Sequence, residues 1–195
     1  MRSISAPIVG TLVMPQTLRR GAPFGPWSAV ITARTVGRMT ATTIARKAGE
    51  GTALWVLGGL YEVRVSSEES GGEMTVMEMT IPPGFGPPPH THDGGELVYV
   101  LEGECDYHIG GEVVHGVPGS IFQIAAGTTE NFAPAGSEPL RVLVVYTPGG
   151  IDGFFREIGE PALSYTMPPP SDTPPDMPAI MAAAERYGMR MLPPA

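Results

Sequence analysis

From Glu50 to Tyr146 apolar and polar residues alternate with a period of two, and short runs of this alternation are separated by turn-forming residues. Side chains alternate faces along a strand, so this period predicts half-buried β-strands. Runs at 53–57, 60–65 and 73–81 are divided by Gly58-Gly59 and by 66–72, and Pro82-Pro83-Gly84 breaks the third. Further runs follow at 96–101, 105–109, 112–115, 120–124, 130–133 and 140–146, with a hairpin signal at Gly110-Gly111. About nine short strands with turn signals every eight to twelve residues or so predict an all-β barrel or jelly roll.

Beyond Pro148 the period changes. Residues 151–158 read as a short helix with Phe154, Phe155 and Ile158 on one side. Residues 161–178 are proline-dense, which predicts an extended arm. Residues 177–187 read as a helix placing Ile180, Met181, Ala184 and Tyr187 at helical spacing, with Gly188 to end it. The expected organisation is an extension over 1–48, a barrel over 49–160, and a Pro-rich arm with a short helix over 161–195.

Composition narrows the class. The chain has 195 residues, 42% of them apolar, enough for one domain with a real core. Its single cysteine, Cys105, allows no intrachain disulfide, so a cytoplasmic location is expected. The longest clean apolar run, 142–146, is strand-sized, far short of the ~18 residues that span a bilayer. The net charge of −8 is unevenly placed. Residues 1–49 hold Arg2, Arg19, Arg20, Arg34, Arg38, Arg46 and Lys47 and no acid, whereas the remainder holds 20 acids and 5 bases. An acidic body argues against nucleic acid or an anionic membrane as partner and favours a small molecule or a cation. For 1–48 three readings compete: a targeting peptide, a disordered extension, or an upstream translation artefact with Met39 as the working start. The last two are favoured, and export is discounted because no apolar stretch follows the twin-arginine-like Arg19-Arg20.

The chemistry concentrates in Gly84-Phe-Gly-Pro-Pro-Pro-His90-Thr-His92-Asp-Gly-Gly-Glu96. On a strand His90 and His92 face one side, about 7 Å apart at Cα. Gly94-Gly95 lets the chain turn, and Glu96 opens the next strand. Two imidazoles and a carboxylate converging from adjacent strands suit a first-row divalent metal. The prolines before His90 lower the entropy cost of ordering the ligands. A surface His-x-His is the bland alternative. Cys105 has no basic neighbour in sequence and is not expected to be a nucleophile, and His108 and His115 are expected at the surface.

The pattern Gly-x5-His-x-His-x3-Glu-x6-Gly, from Gly84 to Gly103, resembles the first motif of the cupin superfamily at every fixed position. The second motif follows in altered form: Gly119 and Gly127 align, Ala125 replaces a proline, Glu130 stands where a third metal histidine belongs, and Pro134 replaces an asparagine. Leu54-Trp-Val-Leu-Gly-Gly59, Glu78 ahead of Pro82-Pro83-Gly84, and Ala184-Glu-Arg-Tyr-Gly188 look like bacterial quercetinase-like (flavonol dioxygenase-like) monocupins. The resemblance covers about residues 49–192. It implies a double-stranded β-helix barrel, a homodimer, and one divalent metal held by His90, His92, Glu96 and Glu130. With two glutamates the site is nearly neutral, which favours Fe(II) or Mn(II) over Ni, Co, Cu or Zn. Three outcomes stay open for Glu130: it ligates the metal, it hangs free as a base, or the metal has been lost.

Strand parity supplies the expected walls. If Glu96 points inward, Val98 and Val100 do too, and Phe132 goes with Glu130. Tyr107 shares a face with Cys105 and Ile109, and Met77 with Met79, although plain core packing is the alternative for each. The expected substrate-binding set is Tyr107, Phe132, Val98 and Met77, with Glu96 and Glu130 catalytic. The expected function is a metal-dependent dioxygenase acting on an aromatic, enol or polyketide-like small molecule with O2. The alternatives are a non-oxidative isomerase, cyclase or lyase using the two glutamates, and a non-catalytic binding barrel.

Overall fold

The computed structural model describes residues 40–193. The readings made for residues 1–39, including the start at Met39, lie outside the described residues.

The elements run β1 (Thr52–Val56), β2 (Gly59–Val65), β3 (Thr75–Ile81), β4 (His90–His92), β5 (Gly95–Glu102), β6 (Cys105–Ile109), β7 (Glu112–Gly116), β8 (Ile121–Ile124), β9 (Glu130–Pro134), β10 (Leu140–Thr147), α1 (Asp152–Ile158), β11 (Glu160–Pro161), α2 (Met177–Arg186) and β12 (Met189–Met191). They form two antiparallel sheets, one ordered β11-β1-β2-β3-β10-β5-β8 and the other β12-β4-β9-β6-β7. This is the all-β jelly roll that the alternation predicts. The nine predicted runs each hold a strand. β11 and β12 are additions too short to show a period.

The core lies between the sheets. The larger sheet contributes Met77, Met79, Val98, Val100, Val142 and Val144, and the smaller contributes Cys105, Tyr107 and Phe132. The parity left open across Pro82-Pro83 is settled: Thr75, Met77, Met79 and Ile81 point inward, while Val76 and Glu78 face out half-buried. Tyr107 packs between Phe122 and Phe132, with ring centroids 4.6 and 5.2 Å away. Asp152, at the start of α1, is buried and accepts a hydrogen bond from the Thr75 hydroxyl at 2.9 Å, which ties the helix to β3.

In α2 the inward face is Ile180, Ala183 and Ala184, and Met181 stays half-exposed. The predicted face was wrong at Met181 and at Tyr187, which lies just past the helix end and is exposed. The i, i+3, i+4 stripe runs from Ile180 through Ala183 and Ala184. Asp176 caps the helix by accepting from the Ala179 N–H. Each of the five bases after Glu50 pairs with an acid: Arg64 with Glu62, Arg141 with Glu78 and Glu102, Arg156 with Asp152, Arg186 with Glu157, and Arg190 with Asp93. Arg46, from the basic segment, pairs with Glu69.

Candidate metal centre

The site forms where the sheets meet. β4 carries His90 and His92 inward, with Thr91 between them on the opposite face. β9 lies beside β4 in a register that sets Glu130 directly opposite His90. The turn through Gly94 then carries the chain from one sheet to the other. A side chain at Gly94 would collide with the Thr147 carbonyl and press on Pro148, so glycine is required there. β5 starts at once and places Glu96 beside His92.

The distances are short. His90 Nε2 lies 3.0 Å from His92 Nε2 and 2.7 Å from Glu130 Oε1. His92 Nε2 lies 3.4 Å from Glu130 Oε1 and 3.0 Å from Glu96 Oε2. His90, His92 and Glu130 offer ligand atoms that all lie within 4.8 Å of one another. Glu96 joins at the edge of this trio through His92, and the Tyr107 hydroxyl stands 3.5 Å from Glu96 Oε1. All four groups are buried.

His90 Nδ1 lies 2.9 Å from the Pro88 carbonyl. A carbonyl only accepts, so Nδ1 carries a proton, and in the neutral ring the Nε2 lone pair faces Glu130. A backbone partner of this kind orients metal-ligating histidines. Both Glu130 oxygens and Glu96 Oε2 are buried without an aligned hydrogen-bond partner among the described residues. Buried carboxylate oxygens left in this state are costly, and a cation among them removes the cost. By this test the donor set fits a divalent ion.

The electrostatics separate the two acids. Burial favours the neutral form of Glu130, but the close approach of the His90 and His92 rings outweighs it and holds its carboxyl well below the usual range. Burial raises the Glu96 carboxyl, against the pull of His92. Burial also opposes a charged His92, yet the two carboxylates of Glu130 and Glu96 beside it lift it to about 9. Tyr107 and Tyr146 are pushed far up, first by burial and then by the two carboxylates.

Residues 77–146 match the model of the cupin domain. His90, His92, Glu96 and Glu130 all lie inside the matched stretch, which spans about a third of the chain. No curated protein matches the chain. Among solved structures, the chain is similar to KdgF from Halomonas sp., at 17% identity over 50% of this chain and 86% of that one, with a TM-score of 0.45. It is similar to the polyketide cyclase RemF from Streptomyces resistomycificus, at 19% identity over 54% and 80%, with a TM-score of 0.48. It is also similar to an RmlC-like cupin from Shewanella frigidimarina, at 15% identity over 58% and 99%, with a TM-score of 0.49. None of these likenesses bears on the reaction.

The expected walls are buried in the core between the sheets. Tyr107 reaches the acid pair, and Phe132 stacks behind it. Val98 sits opposite Phe122 and Val144, and Met77 opposite Val63 and Val144. The cleft that opens beside His92 is lined instead by His92, Tyr146, Thr147, Ile151, Tyr187 and Gly188. Tyr146 is paired with Glu96 across the strands, and its ring centroid is 5.5 Å from that of His92. Its parity with Val142 and Val144 was readable in sequence, but its pairing with Glu96 was not. His108 and His115 are exposed, and the Cys105 thiol is buried and pushed up to about 11 by burial. Among the described residues no helix is long and apolar enough to cross a membrane.

Proposed function

We propose that this cupin chain is a metal-dependent dioxygenase acting on a small aromatic, enol or polyketide-like molecule. One observation carries the reading: two histidines and one carboxylate form a compact buried trio, and a second carboxylate stands beside it. Two histidines and one carboxylate with open positions are the ligand set of non-haem Fe(II) oxygenases. His90, His92 and Glu130 would hold the ion, with Fe(II) or Mn(II) favoured. When bound, the ion would supply Lewis acidity toward a substrate oxygen and the electron transfer that O2 requires.

The protein's own work falls to its neighbours. Glu96 holds or moves a proton at its carboxyl, and the Tyr107 hydroxyl orients that carboxyl from 3.5 Å. Tyr146 and Tyr187 line the cleft beside His92. The likeness of Leu54–Gly59 and of the 184–188 tail to quercetinase-like monocupins supports the oxidative reading. The test is turnover of a panel of phenols and enols in air and in an anaerobic chamber. The reading expects activity in air only, and equal turnover in both rejects it.

The split between Glu96 and Glu130 favours a second reading, a non-oxidative isomerase, cyclase or lyase. Acids whose environments push them in opposite directions suit proton transfer without redox chemistry. Activity that survives replacement of Fe(II) by Zn(II) would select it. Metal content below about 0.1 per chain, with no turnover, would select a non-catalytic binding barrel. A cytoplasmic location and a homodimer belong to the same proposal. Tyr99 and Ile121 are cross-strand neighbours and both exposed, which supports an apolar contact between copies. Nucleic acid and membranes are not proposed as partners.

A further inference from the structure

The cleft beside His92 has a volume of about 140 Å³. Clefts that take drug-sized ligands run from roughly 300 to 1,000 Å³, whereas an apolar cavity of about 150 Å³ accepts benzene. By that scale the cleft, which is open to solvent on one side, has room between its walls for about one six-membered ring.

Its outer wall is the turn between α2 and β12. Gly188 has a φ of 74°, the left-handed region where glycine is favoured. Its carbonyl accepts from the Asp93 N–H at 2.7 Å, and Met189 then pairs with His92 across the strands. A side chain at Gly188 would press on Asp93 at 3.2 Å. These contacts stitch the turn to the strand that bears the ligands. Tyr187 is thereby held over the cleft, where its ring lies on Gly153 of α1. A Cβ at Gly153 would collide with that ring, standing 3.0 Å even from its Cζ. The Phe154 ring lies behind, with centroids 6.5 Å apart.

We infer that Tyr187, seated on Gly153, sets the size limit of the substrate, and that the substrate is a single-ring or equally small molecule with adjacent oxygens. This deepens the proposed function, and it rests on that reading for the oxygens. Fused or linked ring systems are excluded by the Tyr187 wall.

The test is calorimetric titration under argon with two probes that share an adjacent oxygen pair and differ in bulk: catechol and 3-hydroxyflavone. Mn(II)-incubated wild-type protein is compared with Tyr187→Ala and Gly153→Ala. The wild type is expected to bind catechol and to discriminate against 3-hydroxyflavone. Each variant should gain at least about tenfold in affinity for 3-hydroxyflavone, with catechol changed by less than about threefold. Tyr187→Phe keeps the ring and should behave as the wild type. Equal binding of both probes by the wild type overturns the inference. So does a lack of gain in both variants, or binding of neither probe. Elemental analysis of the same samples separates the two claims. Size preference without bound metal would reject the metal reading and keep the wall. Bound metal without size preference would do the reverse.

Discussion

The chain holds two clusters in which histidine meets carboxylate, and they behave differently. At the surface His115 Nδ1 lies 3.0 Å from Asp106 and Nε2 lies 3.4 Å from Glu104. Inside the barrel His90, His92 and Glu130 approach just as closely. The side chain of His115 is 52% exposed and that of His90 is 5%. Water solvates the outer group and screens its charges, so the pairing there is worth little. The inner carboxylates are buried, so desolvation acts on them in full. Short histidine–carboxylate distances alone therefore do not make a site. Desolvation together with donor atoms aimed at a common centre does.

The largest effect that should divide the clusters is on metal affinity. His92→Ala is expected to weaken Mn(II) or Fe(II) binding by more than about a hundredfold, because a ligand matters more than the outer partners whose loss costs 10–100-fold. His115→Ala should leave binding within about twofold. Equilibrium dialysis with elemental analysis reads both, and equal losses would erase the distinction.

Next comes the division of labour between the two inner acids. Glu96→Gln should retain the metal and lose most turnover, since it removes the proton-moving group beside the trio. Glu130→His should also retain metal while shifting its preference toward softer ions. Metal content and kcat measured on the same preparations would tell a ligand from an acid–base residue.

A smaller effect lies in pH. The metal-free His92 has its pKa raised to about 9 from 6.5, so its charged form stabilises the fold. That contribution is fully present below about pH 6.5 and is lost as pH rises through about 9. A metal ligand must be neutral, so metal uptake near pH 7.5 should release about one proton and strengthen as pH rises toward 9. Calorimetry in two buffers of different ionisation enthalpy measures the proton, and no release would contradict the charged His92.

The smallest effect is at the surface. Arg141→Ala breaks half-exposed pairs with Glu78 and Glu102 and should cost no more than about 1 kcal/mol in denaturant unfolding.

Much of this was legible in the sequence, for a local reason. Strand period and Gly-Gly turns act over a few residues, so β5, β6 and β10 emerged within a residue or two of their bounds. His90 and His92 declared their shared face through a spacing of two. Glu130 was found by motif alignment, because nothing local distinguishes a strand-start glutamate that faces a core from one that faces water. The mouth was not legible. β12 is only Met189-Arg-Met191, and its partner β4 lies about a hundred residues earlier in the chain. Tyr187 read as part of a helix face, and its seat on Gly153 depends on how two helices pack. The displacement of Glu96 to the edge of the trio depends on the angle at which the two sheets meet, which alternation does not encode.

Anomalous scattering from crystals grown with Mn(II) would test the central claim most directly. The account predicts one peak within bonding distance of His90 Nε2, His92 Nε2 and a Glu130 oxygen, at roughly 2.0–2.3 Å. A peak at His115, or density showing the two inner imidazoles turned away from each other with no ion between them, would contradict it.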